Sequence, residues 1–176
     1  MRDADPPGAT RIDRALLDAL SARARSSGRR RMHHNIHRHD EQPAHRLLNA
    51  MEPDSYVRPH RHLDPTKDET ILCLRGQFGC VLFDDAGAVT SRCVLDPLEM
   101  PGIDIGHGRY HSLVALQEGS VMFEVKAGPY VPTGAGEFAP WAPADGEAAD
   151  DYLAWMHQLF SRAAEPQAAW HTGCGR

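Results

Sequence analysis

From Met32 to Ala127 the chain reads as a succession of short runs rich in β-branched and apolar residues, each closed by turn-forming residues. The runs fall at roughly 32–37, 46–51, 55–60, 69–75, 77–84, 88–95, 102–106, 111–117 and 120–127. Between them stand Glu52-Pro53-Asp54-Ser55, Arg75-Gly76, Asp84-Asp85-Ala86-Gly87 and Glu118-Gly119, which supply the backbone angles that tight reversals need. Connections this short leave no room for the helical crossovers that parallel strands require. The pattern therefore predicts an all-β, antiparallel sandwich or barrel.

The two ends follow a different period. Ile12, Ala15, Leu16, Ala19 and Leu20 recur at helical spacing, with Thr10 as N-cap and Gly28 beyond the last turn. Tyr152, Trp155, Met156, Leu159 and Phe160 recur at i, i+3, i+4, i+7 and i+8, a second helix whose apolar stripe must cover a barrel end or meet a second subunit. The latter case predicts a homodimer. The stretch before it, through Ala149, is rich in Pro, Gly and Ala and reads as an extended arm or a mobile loop. The expected organisation is a tail and helix over 1–28, a barrel over 29–130, and an arm with a helix over 131–176.

With 176 residues, 41% of them hydrophobic and 24% charged, the chain can bury one core without disulfides. No apolar run approaches the ~18 residues of a membrane span, and Met1 to Thr10 is polar where a secretory signal is apolar. The expectation is a cytoplasmic protein whose cysteines, Cys73, Cys80, Cys93 and Cys174, are free thiols. A net charge of −5 argues against nucleic acid as the main partner, and the arginines from Arg23 to Arg38 read as a solvated basic face.

Histidine is the residue in excess, with 11 in the chain. In His60-Arg61-His62 the period of an extended chain sends both imidazoles to one face. Glu69 opens the next run, and Gly106-His107-Gly108-Arg109-Tyr110-His111 delivers a third imidazole behind two glycines. Three imidazoles and a carboxylate suit one divalent transition ion, Fe, Mn, Ni, Cu, Co or Zn, better than Ca or Mg. The carboxylate is the open choice: Asp64 and Asp68 compete with Glu69.

His60-Arg61-His62 with Glu69 and Gly76 resembles the first motif of the cupin superfamily, and Gly106-x-Gly108-x-x-His111 resembles the second. The interval from His62 to Glu69 is longer than the motif's usual one, so Leu63 to Asp68 must bulge. The resemblance implies a double-stranded β-helix, a jelly-roll-like barrel, with His60, His62, Glu69 and His111 as interior metal ligands. A closer resemblance, to the WbuC family of cupin-fold metalloproteins, rests on longer stretches. These are Arg29-Arg30-Arg31-Met32-His33-His34-Asn35-Ile36-His37, Arg46-Leu47-Leu48-Asn49-Ala50, Ser55-Tyr56-Val57-Arg58-Pro59-His60-Arg61-His62, Phe123-Glu124-Val125-Lys126 with Gly128-Pro129-Tyr130, and Phe138-Ala139-Pro140-Trp141-Ala142-Pro143. It implies a setting in bacterial polysaccharide biosynthesis.

Other residues are candidates for substrate binding or for orienting the ligands. His33, Asn35 and His37 share one face of their run, to line the cavity mouth or to serve as edge-strand polarity. Arg58 shares parity with His60 and His62, so it points inward to an anionic substrate group or outward to a surface salt bridge. Tyr110 and Tyr130 are placed at the pocket rim or in packing. Glu124 is a candidate base, although Glu124 and Lys126 read as solvated if Val121, Phe123 and Val125 face the core. Cys73 shares parity with Glu69 and with core filler. The expected function is a metal-dependent, isomerase-like enzyme acting on a small polar substrate such as a sugar derivative. A metal-dependent dioxygenase and a non-catalytic small-molecule binding or sensing module are the alternatives.

Overall fold

A computed structural model describes residues 8–161. Cys174 and residues 1–7 of the polar N-terminus lie outside the described residues.

The eight strands are β1 (Arg31–Asn35), β2 (Ala44–Met51), β3 (Glu69–Arg75), β4 (Phe78–Phe83), β5 (Val89–Leu95), β6 (Gly102–Ile105), β7 (Tyr110–Ala115) and β8 (Ser120–Ala127). They form two antiparallel sheets, one ordered β1-β2-β8-β3-β6 and the other β5-β4-β7. Side chains from both sheets meet in one core: Ile71, Cys73 and Met122 from the larger, Phe78, Cys80, Leu95, Leu113 and Ala115 from the smaller. The β3–β4 reversal needs Gly76, whose φ is +71° and whose missing Cβ leaves room for Ser120. The result is an antiparallel β-sandwich, as the cupin resemblance implies.

The run at 55–60 departs from the prediction of a regular strand. Pro59 has no N–H to give to a ladder, and only His60 forms bridges, to His111 on β7 and to Phe138. His60 and His111 exchange both backbone hydrogen bonds, at 3.0 and 2.9 Å. The segment thus lies along β7 as an irregular extra member of the smaller sheet.

Helix α1 (Arg14–Ser26) is capped by Asp13, whose carboxylate accepts from Leu16 N–H, rather than by Thr10. The helix covers the outer face of the larger sheet, where Leu20 and Ala24 meet Leu48, Ala50 and Val121, with Leu16, Met32, Ile36 and Phe123 around them. This second core decides the direction of every side chain in β1 and β8. Apolar residues of those strands serve α1, and their polar partners turn inward.

The arm is ordered against the sandwich. Arg61 N–H donates to Glu137 O and Ala139 N–H to Pro59 O, and Trp141 packs on Phe83 and Tyr110. Helix α2 (Glu147–Gln158) buries Tyr152, Leu153 and Met156, with Leu159 just beyond it, against Tyr56, Val81, Phe83, Tyr110 and Val114 of the same chain. Its stripe is satisfied within the subunit, so it no longer argues for a dimer. No described helix is long and apolar enough to cross a membrane.

Candidate metal centre

The smaller sheet brings His60 and His111 together through their backbone pairing, and Glu69 opens β3 on the facing sheet. His62 follows His60 on the same extended segment. One ligand atom from each of His60, His62, Glu69 and His111 falls in a group whose members all lie within 4.8 Å of one another. Atoms bound to a shared ion at about 2.0–2.2 Å stand at most about 4.4 Å apart, so closure by a few tenths of an ångström completes the shell.

The long interval between His62 and Glu69 is a turn built by the competing carboxylates themselves. Asp64 accepts from Thr66 N–H at 2.9 Å and Thr66 Oγ1 at 2.7 Å. Asp68 accepts from His107 N–H and meets His107 Nδ1, both at 2.8 Å. With both engaged in the loop, Glu69 alone of the three enters the cluster. The second glycine of the 106–111 stretch, Gly108, has φ +75°, and its N–H donates to His62 O at 2.7 Å, tying the two histidine segments together.

The donor chemistry fits an ion. His60 Nδ1 faces Arg58 O at 3.0 Å and His111 Nδ1 faces Arg109 O at 2.9 Å, which directs both Nε2 atoms to the centre. His62 Nε2 is buried with no hydrogen-bond partner, and although it sits 3.3 Å from Glu69 Oε2 the alignment is not that of a hydrogen bond. A buried imidazole nitrogen left without a partner is costly unless something else occupies its lone pair. Burial, reinforced by His111, lowers the His60 pKa to about 3 and leaves a neutral imidazole. Burial opposes charge on Glu69 too, but Lys126, His111 and His62 hold its pKa well below the usual carboxylate range. His111 is raised: burial pulls it down, and the Glu69 carboxylate, 3.0 Å from Nε2, outweighs that.

Behind the cluster, Lys126 Nζ lies 3.2 Å from Glu69 Oε1 and 2.6 Å from Glu124 Oε1. Glu124 is buried, and its carboxyl pKa is pushed up to about 7 by burial and by the Glu69 charge. The expectation that Glu124 and Lys126 are solvated is therefore corrected. They share the inward face of β8 with Met122, while Val121 and Phe123 lie under α1.

The cluster lies at the wall of a cavity of about 780 Å³, lined also by Arg29, Arg31, His33, Asn35, His37, Asn49, Glu124, Lys126 and Tyr130. His33 and Asn35 of β1 line this mouth, with His37 just past the strand; Met32 and Ile36 pack against the α1 core, Met32 also reaching the cavity lining. His37 is anchored through Nδ1 to the Arg46 backbone and stacks on His45 at 4.1 Å between centroids.

Two candidates lie elsewhere. Arg58 neither enters the cavity nor forms a surface salt bridge: Nη2 donates to Ala139 O at 2.9 Å and the guanidinium covers the Phe138 ring. The irregular path at Pro59 breaks the alternation on which its parity rested. Tyr110 is buried beneath Arg61 and Trp141 in the α2 core, away from the cavity. Cys73 is a free thiol within the inter-sheet core, and Cys80 and Cys93 are free as well. Arg29, Arg31, Asn49 and the inward Lys126 are lining residues that the sequence reading did not assign to the cavity.

Two antiparallel sheets around a three-histidine, one-glutamate cluster that could hold a metal ion are the arrangement that the cupin resemblance implies. Residues 12–95 match a family model described as "Domain of unknown function (DUF6016)". No curated protein matches the chain. Among solved structures it is similar to KdgF from Halomonas sp., at 16% identity over 60% of this chain and 85% of that one, with a TM-score of 0.47. It is also similar to a conserved protein of unknown function from Streptococcus pyogenes, at 13% identity over 60% and 80% of the two chains and a TM-score of 0.45. Oxalate decarboxylase from Bacillus subtilis matches at 15% identity over 55% of this chain and 23% of its own, with a TM-score of 0.41.

Proposed function

We propose that the protein is a metal-dependent enzyme in which His60, His62, Glu69 and His111 hold one divalent transition ion beside an open cavity, and that it isomerises a small, oxygen-rich substrate. The observation that carries this reading is the buried Glu124 carboxyl, which lines the same cavity as His60, Glu69 and His111. A structural ion needs no such neighbour and no cavity. Bound there, a divalent ion supplies Lewis acidity, polarising a carbonyl or stabilising an enediolate.

The chain's own groups supply the rest. Glu124 is a buried carboxyl in the wall of the cavity, the placement of a group that takes a proton from a bound substrate or returns one. Lys126 donates to it and keeps its carboxyl oriented. Asn35, Asn49 and His33 offer uncharged donors and acceptors along the wall, suited to hydroxyl groups. The WbuC resemblance, with its polysaccharide setting, favours a sugar derivative as substrate, and a cytoplasmic enzyme, active as a monomer or a homodimer, accords with it.

The test is carbon-bound proton exchange. Hydroxy-ketones, hydroxy-aldehydes and sugar phosphates are incubated in D2O with protein loaded with each of the six metals, and NMR follows deuterium entry next to the carbonyl. Exchange that falls by about 100-fold or more in Glu124→Gln is expected. Absence of exchange and of product with every metal contradicts the reading.

A further inference from the structure

Resting on the reading of the cavity as a substrate site, we propose that the ligand is an elongated polar molecule with an anionic group, a carboxylate or a phosphate, remote from its metal-binding oxygens. Arg29 binds that group at the cavity mouth.

Charge in the lining is segregated. Glu69, Glu124 and Lys126 gather at one end, with Asp40 in the β1–β2 loop beside His45. Arg29 and Arg31 stand at the other end, at the start of β1, where the lining holds no carboxylate. The cations and carboxyls of the lining balance in number, so a divalent ion leaves the cavity positive overall.

The two arginines differ in what they already hold. Arg31 Nη1 donates to Tyr56 O at 2.5 Å and to Ser55 Oγ at 3.4 Å, and Asp145 acts on it electrostatically. Arg25, Arg30, Arg61 and Arg75 each meet a carboxylate. Arg29 has no carboxylate within ion-pair distance among the described residues, and its side chain is exposed. Its backbone is nevertheless fixed. Arg29 O accepts from Ser55 Oγ at 2.9 Å, and the next residue, Arg30, adopts φ +56° and is clamped to Asp54 at 2.8 Å. An arginine in the cavity lining, carried on an anchored backbone and with no ion pair among the described residues, is suited to an oxyanion of the ligand. Partial burial and the Arg29 charge lower the pKa of His33, which leaves a neutral ring beside the arginine to meet hydroxyls.

The separation sets the ligand's length. Arg31 is in register with Met51, whereas His45, in register with Lys126 and through it with Glu69, lies six residues earlier on β2, roughly 20 Å along a strand. Side chains reach inward from both ends, and a ligand that touches both must be elongated along β2.

Calorimetric titration with lactose, lactose 1-phosphate and digalacturonate separates the cases. On the purified protein both anionic probes are expected to bind more tightly than lactose. Arg29→Gln should weaken them by about ten- to 100-fold, the worth of one charge-assisted hydrogen-bonded contact, and leave lactose unchanged. Arg38→Gln, an exposed arginine outside the lining, should change none of the three. A preference confined to one anionic probe assigns the group as phosphate or carboxylate. After chelation all three probes weaken while the Arg29 increment persists; an increment without any effect of chelation overturns the metal reading and not this one. Anionic probes that bind no better than lactose, that fail to bind, or that ignore Arg29→Gln overturn the proposal.

Discussion

Glu124 shows what a single residue owes to its surroundings. Its carboxyl sits at about 7 rather than at its ordinary value of 4.5, because burial and the Glu69 charge oppose ionisation. Between those two values the folded chain holds a proton that the unfolded chain has released. Its stability contribution is therefore complete below about 4.5 and is lost as pH rises through about 7. Glu124→Gln removes that loss. In thermal melts of metal-free protein the variant should gain on the wild type by several °C more at pH 8 than at pH 5; an equal difference at both pH values contradicts the burial of this carboxyl. The grouping of His60, His62, Glu69 and His111 was legible at this scale because side-chain parity and turn glycines are local properties. Arg58 was not, because the missing N–H of Pro59 replaced a regular strand by a single bridge at His60.

At the scale of elements, most strands were visible in the alternation and the turn chemistry; β3 begins and ends where the run at 69–75 does. What the pattern did not reveal was which face of β1 and β8 was inside. A strand whose two faces are one apolar and one polar looks the same whether its apolar side meets the opposite sheet or a helix. Here α1 occupies the outer face, so Val121 and Phe123 point to it while Glu124 and Lys126 enter the cavity. Leu20 is the centre of that contact, with 1% of its surface exposed. Leu20→Ala should cost about 2–5 kcal/mol in denaturant unfolding, and a loss below about 1 kcal/mol would contradict the packing of α1. The stripe on α2 was read correctly as one that must be buried, but its partner, the cluster of Tyr56, Phe83 and Tyr110, comes from distant parts of the chain that no local period connects.

For the whole molecule, the centre joins the two sheets: His60, His62 and His111 belong to one side and Glu69 to the other. An ion bound there would clamp both sheets in the folded state only, and its removal should then lower the melting temperature. At an ion concentration 1,000 times its Kd the stabilisation is about 4 kcal/mol, or roughly 8–16 °C for a domain of this size. Chelation followed by re-addition of metal should reverse the change in differential scanning calorimetry. The most direct measurement is elemental analysis of freshly purified protein beside His60→Ala and His111→Ala. The expected result is close to one equivalent of a transition metal in the wild type and its loss from both variants while their folds persist by circular dichroism. Stoichiometric metal retained in both variants would contradict the site.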